Sequence, residues 1–87
     1  MLNFSEALQA LEEGKIVTRE CWTTEFIYLV PGSEFPVNRP PLLGIYDEGV
    51  TVKYHKHIDM RQANGVCVYW TPTQVDIFAD DYQIIAK

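Results

Sequence analysis

The sequence predicts an α+β domain: a twisted antiparallel sheet with an N-terminal helix and a short helix before the last strand. Three observations predict it. A capped amphipathic stretch opens the chain, short β-branched and aromatic segments separated by turn signals follow, and Thr71-Pro72-Thr73-Gln74 announces a second helix near the end. One domain over residues 1–87 is expected, because chains split only at several times this length.

The first helix starts at Asn3, a suitable N-cap, with Glu6 completing a capping box and Leu2 placed to staple against Ala7. Phe4, Ala7, Leu8 and Leu11 recur on one face, while Glu6, Gln9, Glu12 and Glu13 face water. Gly14 ends the helix, and Lys15 sits near its negative pole. Ile16–Arg19 and Phe26–Val30 read as strands, the second ending at the turn Pro31-Gly32. Residues 33–41 are proline-rich and read as a loop, because proline lacks the ladder donor. Val50–Tyr54 alternates apolar and polar residues, and Ile58 and Met60 continue it in another phase, so a bulge is expected at His55–His57. Asn64-Gly65 is a tight-turn pair, and Val66–Trp70 is the return strand. Thr71 is the expected N-cap of the second helix, Pro72 its first residue and Gln74 its third. Val75, Ile77, Phe78 and Ala79 should bury that helix, and Tyr82–Ala86 closes the sheet.

Composition narrows the function. With 47% hydrophobic and 22% charged residues, the chain carries enough apolar surface to offset the entropy of ordering, which excludes disorder. No apolar run approaches the ~18–20 residues of a membrane span, and no basic-then-apolar leader pattern opens the chain, so a soluble intracellular protein is expected. Seven Lys+Arg against twelve Asp+Glu give a net charge of -5, which argues against a nucleic-acid polymer as partner and leaves room for a small anion. Cys21 and Cys67 lack metal-type spacing, and each is expected to act as a small buried apolar residue. Aromatic residues make up 13%, more than a core hiding about 60–65% of the unfolded surface can enclose. Some rings should therefore face a partner subunit or a ligand.

Three segments carry a family resemblance: Asn3-Phe4-Ser5-Glu6-Ala7-Leu8 through Gly14-Lys15 to Arg19-Glu20-Cys21-Trp22; Tyr28-Leu29-Val30-Pro31-Gly32; and Trp70-Thr71-Pro72-Thr73-Gln74-Val75-Asp76-Ile77 with Ala79-Asp80-Asp81-Tyr82. With His57-Ile58-Asp59-Met60 ahead of Asn64-Gly65, the chain resembles the small phage and prophage proteins of the second Thoeris anti-defence type. Tyr82 departs from the tryptophan usual there, keeping the ring and shifting its polar end. The resemblance implies a homotetrameric sponge in the bacterial host cytoplasm. Such a protein holds a cyclic ADP-ribose isomer without cleaving it and keeps the defence effector inactive; some relatives also hold cyclic dinucleotides.

Residue chemistry permits this reading. Trp22 and Trp70 stand at strand ends beside loops, where indoles can stack a base, although both could equally be core residues. The helix start at Thr71 could seat phosphate or ribose oxygens, or Thr71 could simply cap its own helix. Gln74 and Asp76 could accept hydrogen bonds from sugar hydroxyls or serve as cap and surface residues. Arg19 is the first choice for a phosphate fork beside Trp22; Arg61, Lys53 and Lys56 are further cations, the two lysines better read as a solvated edge. His55, His57 and Asp59 share a face if their strand is regular, an acceptable spacing for a metal that also arises often by chance, and Cys67 and His57 would face across the hairpin with nothing to orient or activate them. No catalytic residue, metal or cofactor is expected.

A sponge must bind at nanomolar level, about -12 kcal/mol, and a chain this small has little room for an enclosing pocket. A pocket built between copies answers both demands. The alternative reading is a phage structural or host-interaction module without a small ligand. A metal-dependent hydrolase using His55, His57 and Asp59 is a third.

Overall fold

The computed structural model describes residues 1–85. Its elements are α1 (Phe4–Glu12), β1 (Ile16–Arg19), β2 (Phe26–Val30), β3 (Ser33–Pro36), β4 (Thr51–Tyr54), β5 (His57–Arg61), β6 (Cys67–Tyr69), α2 (Gln74–Phe78) and β7 (Tyr82–Ile85), with one 3₁₀ turn at Leu42–Gly44. The fold is α+β. Five antiparallel strands lie in the order β6-β5-β2-β1-β7, and β3 and β4 form a separate two-stranded ribbon. Ala86, which the sequence assigns to the last strand, lies outside the described residues.

Helix α1 begins as its sequence dictates. The Asn3 side chain accepts from the Glu6 amide at 2.8 Å, and the Glu6 carboxylate accepts from the Asn3 amide at 3.0 Å. Just beyond the helix, Gly14 takes φ 82°, a conformation that costs glycine nothing. The helix lays Ala7, Ala10 and Leu11 on Val17 of β1, Ile27 of β2 and Tyr82 of β7, and these six side chains form the buried core. Leu8 instead lies at the margin and is exposed, its expected place in the core taken by Ala10. Leu29, Ile58, Met60, Trp22 and Trp70 pack around that core.

The proline-rich segment is not wholly a loop. Val30 faces His57 and Ser33 faces Tyr54, so one register runs through both sheets, and Pro31 and Gly32 stand opposite Lys56 and His55. The expected bulge is thus a break in one long hairpin, whose far half, β3–β4, projects as an arm. Proline is tolerated because a two-stranded ribbon consists only of edges. The strands approach closely here: a Cβ on Gly32 would lie 3.0 Å from the carbonyl oxygen of Tyr54. At the same neck, Lys56 Nζ donates to both carboxylate oxygens of Glu12, at 2.9 and 3.1 Å.

Neither arm strand packs on any other element. Val37 is buried within the arm, but Phe35, Ile45, Tyr46, Val50 and Tyr54 are exposed, and Phe35 stacks on Tyr54 at 5.7 Å. A compact chain of this length would have a radius of gyration of about 12 Å; this one has 16.0 Å and extends 47 Å along its longest axis.

Ile27 bears directly on the core. Ile27→Ala should cost about 2–5 kcal/mol, read from urea unfolding of the purified chain. A loss below about 1 kcal/mol would contradict the packing described.

Candidate functional site

Arg19 ends β1 on the face that carries Val17's neighbours in the core, and two carboxylates meet it there. Its Nη1 donates to Asp76 Oδ1 at 2.8 Å, and its Nε donates to Asp81 Oδ1 at 2.9 Å. The side chain is only 11% exposed. The hydrogen bond to Asp81 raises its pKa above the ordinary value, so the guanidinium is charged at any working pH. It also lies over the rings of Tyr82 and Trp22, at 5.7 and 5.9 Å from their centroids. The expected phosphate fork is therefore engaged within the protein, where it ties β1 to α2 and to the start of β7.

Asp76 receives bonds from both sides. Its Oδ2 accepts from the Thr73 amide at 2.8 Å and from the Thr73 hydroxyl at 2.9 Å, while Oδ1 takes the arginine. The Tyr82 hydroxyl donates to the Asp76 carbonyl at 2.6 Å. Thr73, not Thr71, is accordingly the N-cap of α2, and Asp76, not Gln74, completes its capping box. Thr73 has an extended backbone, so Pro72 precedes the cap instead of opening the helix. Thr71 and Gln74 are both exposed.

This geometry inverts the expected burial of α2. Asp76 is 8% exposed, whereas Val75 is 71% and Phe78 80% exposed, with Ile77 also open. A single-turn helix held by an ion pair turns its polar residue inward and leaves its apolar residues to solvent.

The two indoles meet beside this network. Trp22 and Trp70 pack edge to face at 6.1 Å, Phe4 lies 6.3 Å from Trp70, and Trp22 stands perpendicular to Tyr82 at 6.5 Å. Both are half-buried, so each is partly a core residue and partly open. The structure thus brings Arg19, Trp22, Trp70 and Asp76 into one cluster. Two shallow, open depressions lie elsewhere: one lined by Gly32, Ser33, Glu34, Lys53 and Tyr54, another by Glu25, Met60, Gln62, Ala63 and Asn64.

The remaining polar candidates separate. His55 lies at the neck, outside β5, while His57 Nε2 approaches Asp59 Oδ1 at 3.1 Å. Among the described residues no three His, Cys, Asp or Glu side chains are placed to hold a metal ion. Cys67 faces Arg61, not His57, across β5–β6. Both cysteines are exposed instead of buried, Cys21 in the loop after β1 and Cys67 on an edge strand.

Rings that sequence reasoning did not single out as site residues, Phe26, Tyr28 and Tyr69, sit on the other face of the sheet with Arg61, Asp59 and Cys67. Because alternate residues point to opposite faces, Phe26 and Tyr28 of β2 turn away from the core that holds Ile27 and Leu29. The register sets Arg61 opposite Phe26, Asp59 opposite Tyr28, and Tyr69 opposite Asp59. The Tyr28 hydroxyl donates to Cys67 Sγ at 3.3 Å, and that bond raises the phenol's pKa. The strict alternation of rings and charges in Phe26-Ile27-Tyr28 and His57-Ile58-Asp59-Met60-Arg61 was the signal that could have revealed this face.

Comparison with protein families matches residues 2–85 to the Tad2-like family, described as the Thoeris anti-defense 2-like domain. No curated protein matches the chain. No helix among the described residues is long and apolar enough to cross a membrane.

Tyr82 gives the cluster a pH signature. Burial, followed by the nearby Asp76 charge, pushes its phenol from 10.0 up to about 12. Between those values the folded protein keeps a proton that the unfolded chain has lost. Stability is therefore level below pH 10 with respect to this group and falls as pH rises toward 12, by at most roughly 1.4 kcal/mol per unit. Tyr82→Phe should flatten that slope in urea unfolding series at stepped pH. An unchanged slope would contradict the assignment.

Proposed function

Because the chain belongs to the Thoeris anti-defense 2-like family, whose description supports a role in blocking Thoeris defence, we propose that it acts by sequestration. In this reading it binds a nucleotide-derived immune signal, a cyclic ADP-ribose isomer or a related cyclic dinucleotide, holds it intact, and keeps it from the defence effector in the host cytoplasm. The family match over residues 2–85 carries the reading. An anti-defence family also fits a non-catalytic role.

The residues support it in specific ways. Trp22 and Trp70 keep part of their ring surface open and serve as base contacts, a stack worth roughly 1–3 kcal/mol for each base. Thr71 and Gln74, exposed ahead of and at the start of α2, are within chain reach of the same indoles and offer hydrogen bonds to sugar oxygens. Arg19 and Asp76 enter as positioning residues, since their polar atoms already hold one another and Thr73.

Assembly belongs to the same proposal. Val75 and Phe78 on α2, together with the arm's Phe35, Ile45 and Tyr54, expose more apolar surface than a solitary small domain tolerates comfortably. A homo-oligomer, a tetramer by the family resemblance, would cover these patches and could enclose ligand between copies. The same patches are what a ligand-free host-interaction module would display, so ligand binding decides between the two readings.

Isothermal calorimetry of the purified chain with cyclic ADP-ribose isomers and cyclic dinucleotides is the test. Sub-micromolar binding of at least one probe, its recovery unmodified after heat denaturation, and a light-scattering mass that is a multiple of 10.0 kDa are expected. No binding of any probe at micromolar protein would overturn sequestration. Recovery of a cleaved product would make the protein an enzyme.

A further inference from the structure

An anionic ligand needs a cation, and the sequence's first choice is engaged. Arg19 is held by Asp76 and Asp81, Lys15 by Glu13 at 3.1 Å, and Lys56 by Glu12. Among the described residues this leaves Arg39, Lys53 and Arg61 without a carboxylate at ion-pair distance; Lys87 lies outside them. Arg39 belongs to the arm's tip, and Lys53 stands opposite Glu34 in the ribbon. Arg61 differs from both, because its guanidinium lies 5.6 Å from the Phe26 ring centroid, on the sheet face opposite α1.

That face carries several rings, Phe26 and Tyr28 half-buried and Tyr69 exposed, on the side of the sheet away from α1. Helix α1 packs on the face that holds Val17 and Ile27, and α2 packs against α1. Opposite them, Phe26 and Tyr28 lie 6.1 Å apart, and His57 meets Tyr69 edge to face at 4.5 Å. Tyr69 is 73% exposed, an uncommon position for a ring set among charged neighbours. Asp59 is the one carboxylate that the register places among these residues, and the His57 ring nitrogen lies 3.1 Å from it. In a chain of net charge -5, a guanidinium with no carboxylate partner among the described residues, set beside half-buried Phe26 and near exposed Tyr69, is a local reversal of sign.

We propose that this outer face of the sheet is a binding surface for a nucleotide-type anion, with Tyr69 and Tyr28 stacking the base and Arg61 meeting the phosphate. A base stacks on any aromatic face, and a guanidinium binds phosphate bidentately. The inference rests on the nucleotide-ligand reading above but not on the Trp22–Trp70 cluster, which packs against the core on the other face of the sheet and whose arginine is engaged. Cys67 provides a reporter: its thiol is exposed and bonded to Tyr28 on this face, whereas Cys21 lies in the loop after β1.

The experiment compares wild type, Tyr69→Ala and Arg61→Met by calorimetry with the tightest-binding cyclic ADP-ribose isomer. Rates of Cys67 and Cys21 alkylation with and without that probe are followed by mass spectrometry. Both substitutions fall on exposed side chains, and circular dichroism checks that the fold is kept. Each variant should bind at least about tenfold more weakly, the loss of one stack or one phosphate contact. The probe should slow alkylation of Cys67 and spare that of Cys21. Variants that bind within twofold of wild type overturn the inference, whatever the cysteines do. If they also change the light-scattering mass, the face is a contact between copies instead. A wild-type chain that binds no probe fails the function proposed above, a result distinct from variants that bind normally.

Discussion

The fold depends on one buried ionic junction. Arg19 reaches from the end of β1 to Asp76 in α2 and to Asp81 just before β7, so a single side chain ties the first strand to two points of one C-terminal stretch, 57 and 62 residues further on. Desolvating such charges is expensive, and the cost is offset only when nearly every donor and lone pair is used. Here Thr73 takes the second oxygen of Asp76, Tyr82 takes its carbonyl, and no buried side-chain nitrogen or oxygen lacks a partner among the described residues. The rest of the local structure follows. Helix α2 can be one turn long, because ionic contacts set its direction, and its apolar side chains are released to the surface.

That release connects the junction to the chain's surplus of rings. A small core formed by α1 and one sheet face encloses only Tyr82 completely, with Phe4, Trp22 and Trp70 around it. The other rings are distributed over the outer sheet face, the arm and α2. An arm whose strands touch no other element is marginal by itself, since a lone two-stranded ribbon is barely stable in water. Continuity of register with β2 and β5 ties its base to the sheet, and Lys56 braces the neck against α1. Its exposed side chains are among those that the proposed assembly would cover.

Much of the architecture was legible in the sequence. Asn3 and Glu6, Gly14, and the turn at Asn64-Gly65 each act through local chemistry, and each appears where the pattern places it. What stayed hidden was tertiary. Residues 33–36 pair as a strand only because Pro31 and Gly32 interrupt the hairpin without shifting its register. Thr71 with Gln74 matched the cap pattern as well as Thr73 with Asp76 did, and in the structure Asp76 bonds both Thr73 and Arg19. Of the six residues that the sequence proposes for a ligand, the structure brings Arg19, Trp22, Trp70 and Asp76 together and leaves Thr71 and Gln74 exposed, and a list of residue types cannot say that the arginine's donors are already taken. The cysteines escaped for a related reason: an edge strand and a loop leave a small apolar residue open that a central strand would have covered.

If Arg19 is a structural clasp and not a ligand-binding fork, its partnership with Asp76 must register in stability without any ligand present. A double-mutant cycle with Arg19→Met, Asp76→Asn and the pair, followed by urea unfolding, measures this directly. The account predicts a coupling energy of at least about 1 kcal/mol, with either single variant strongly destabilised. Additive effects, or single variants as stable as the parent chain, would contradict it.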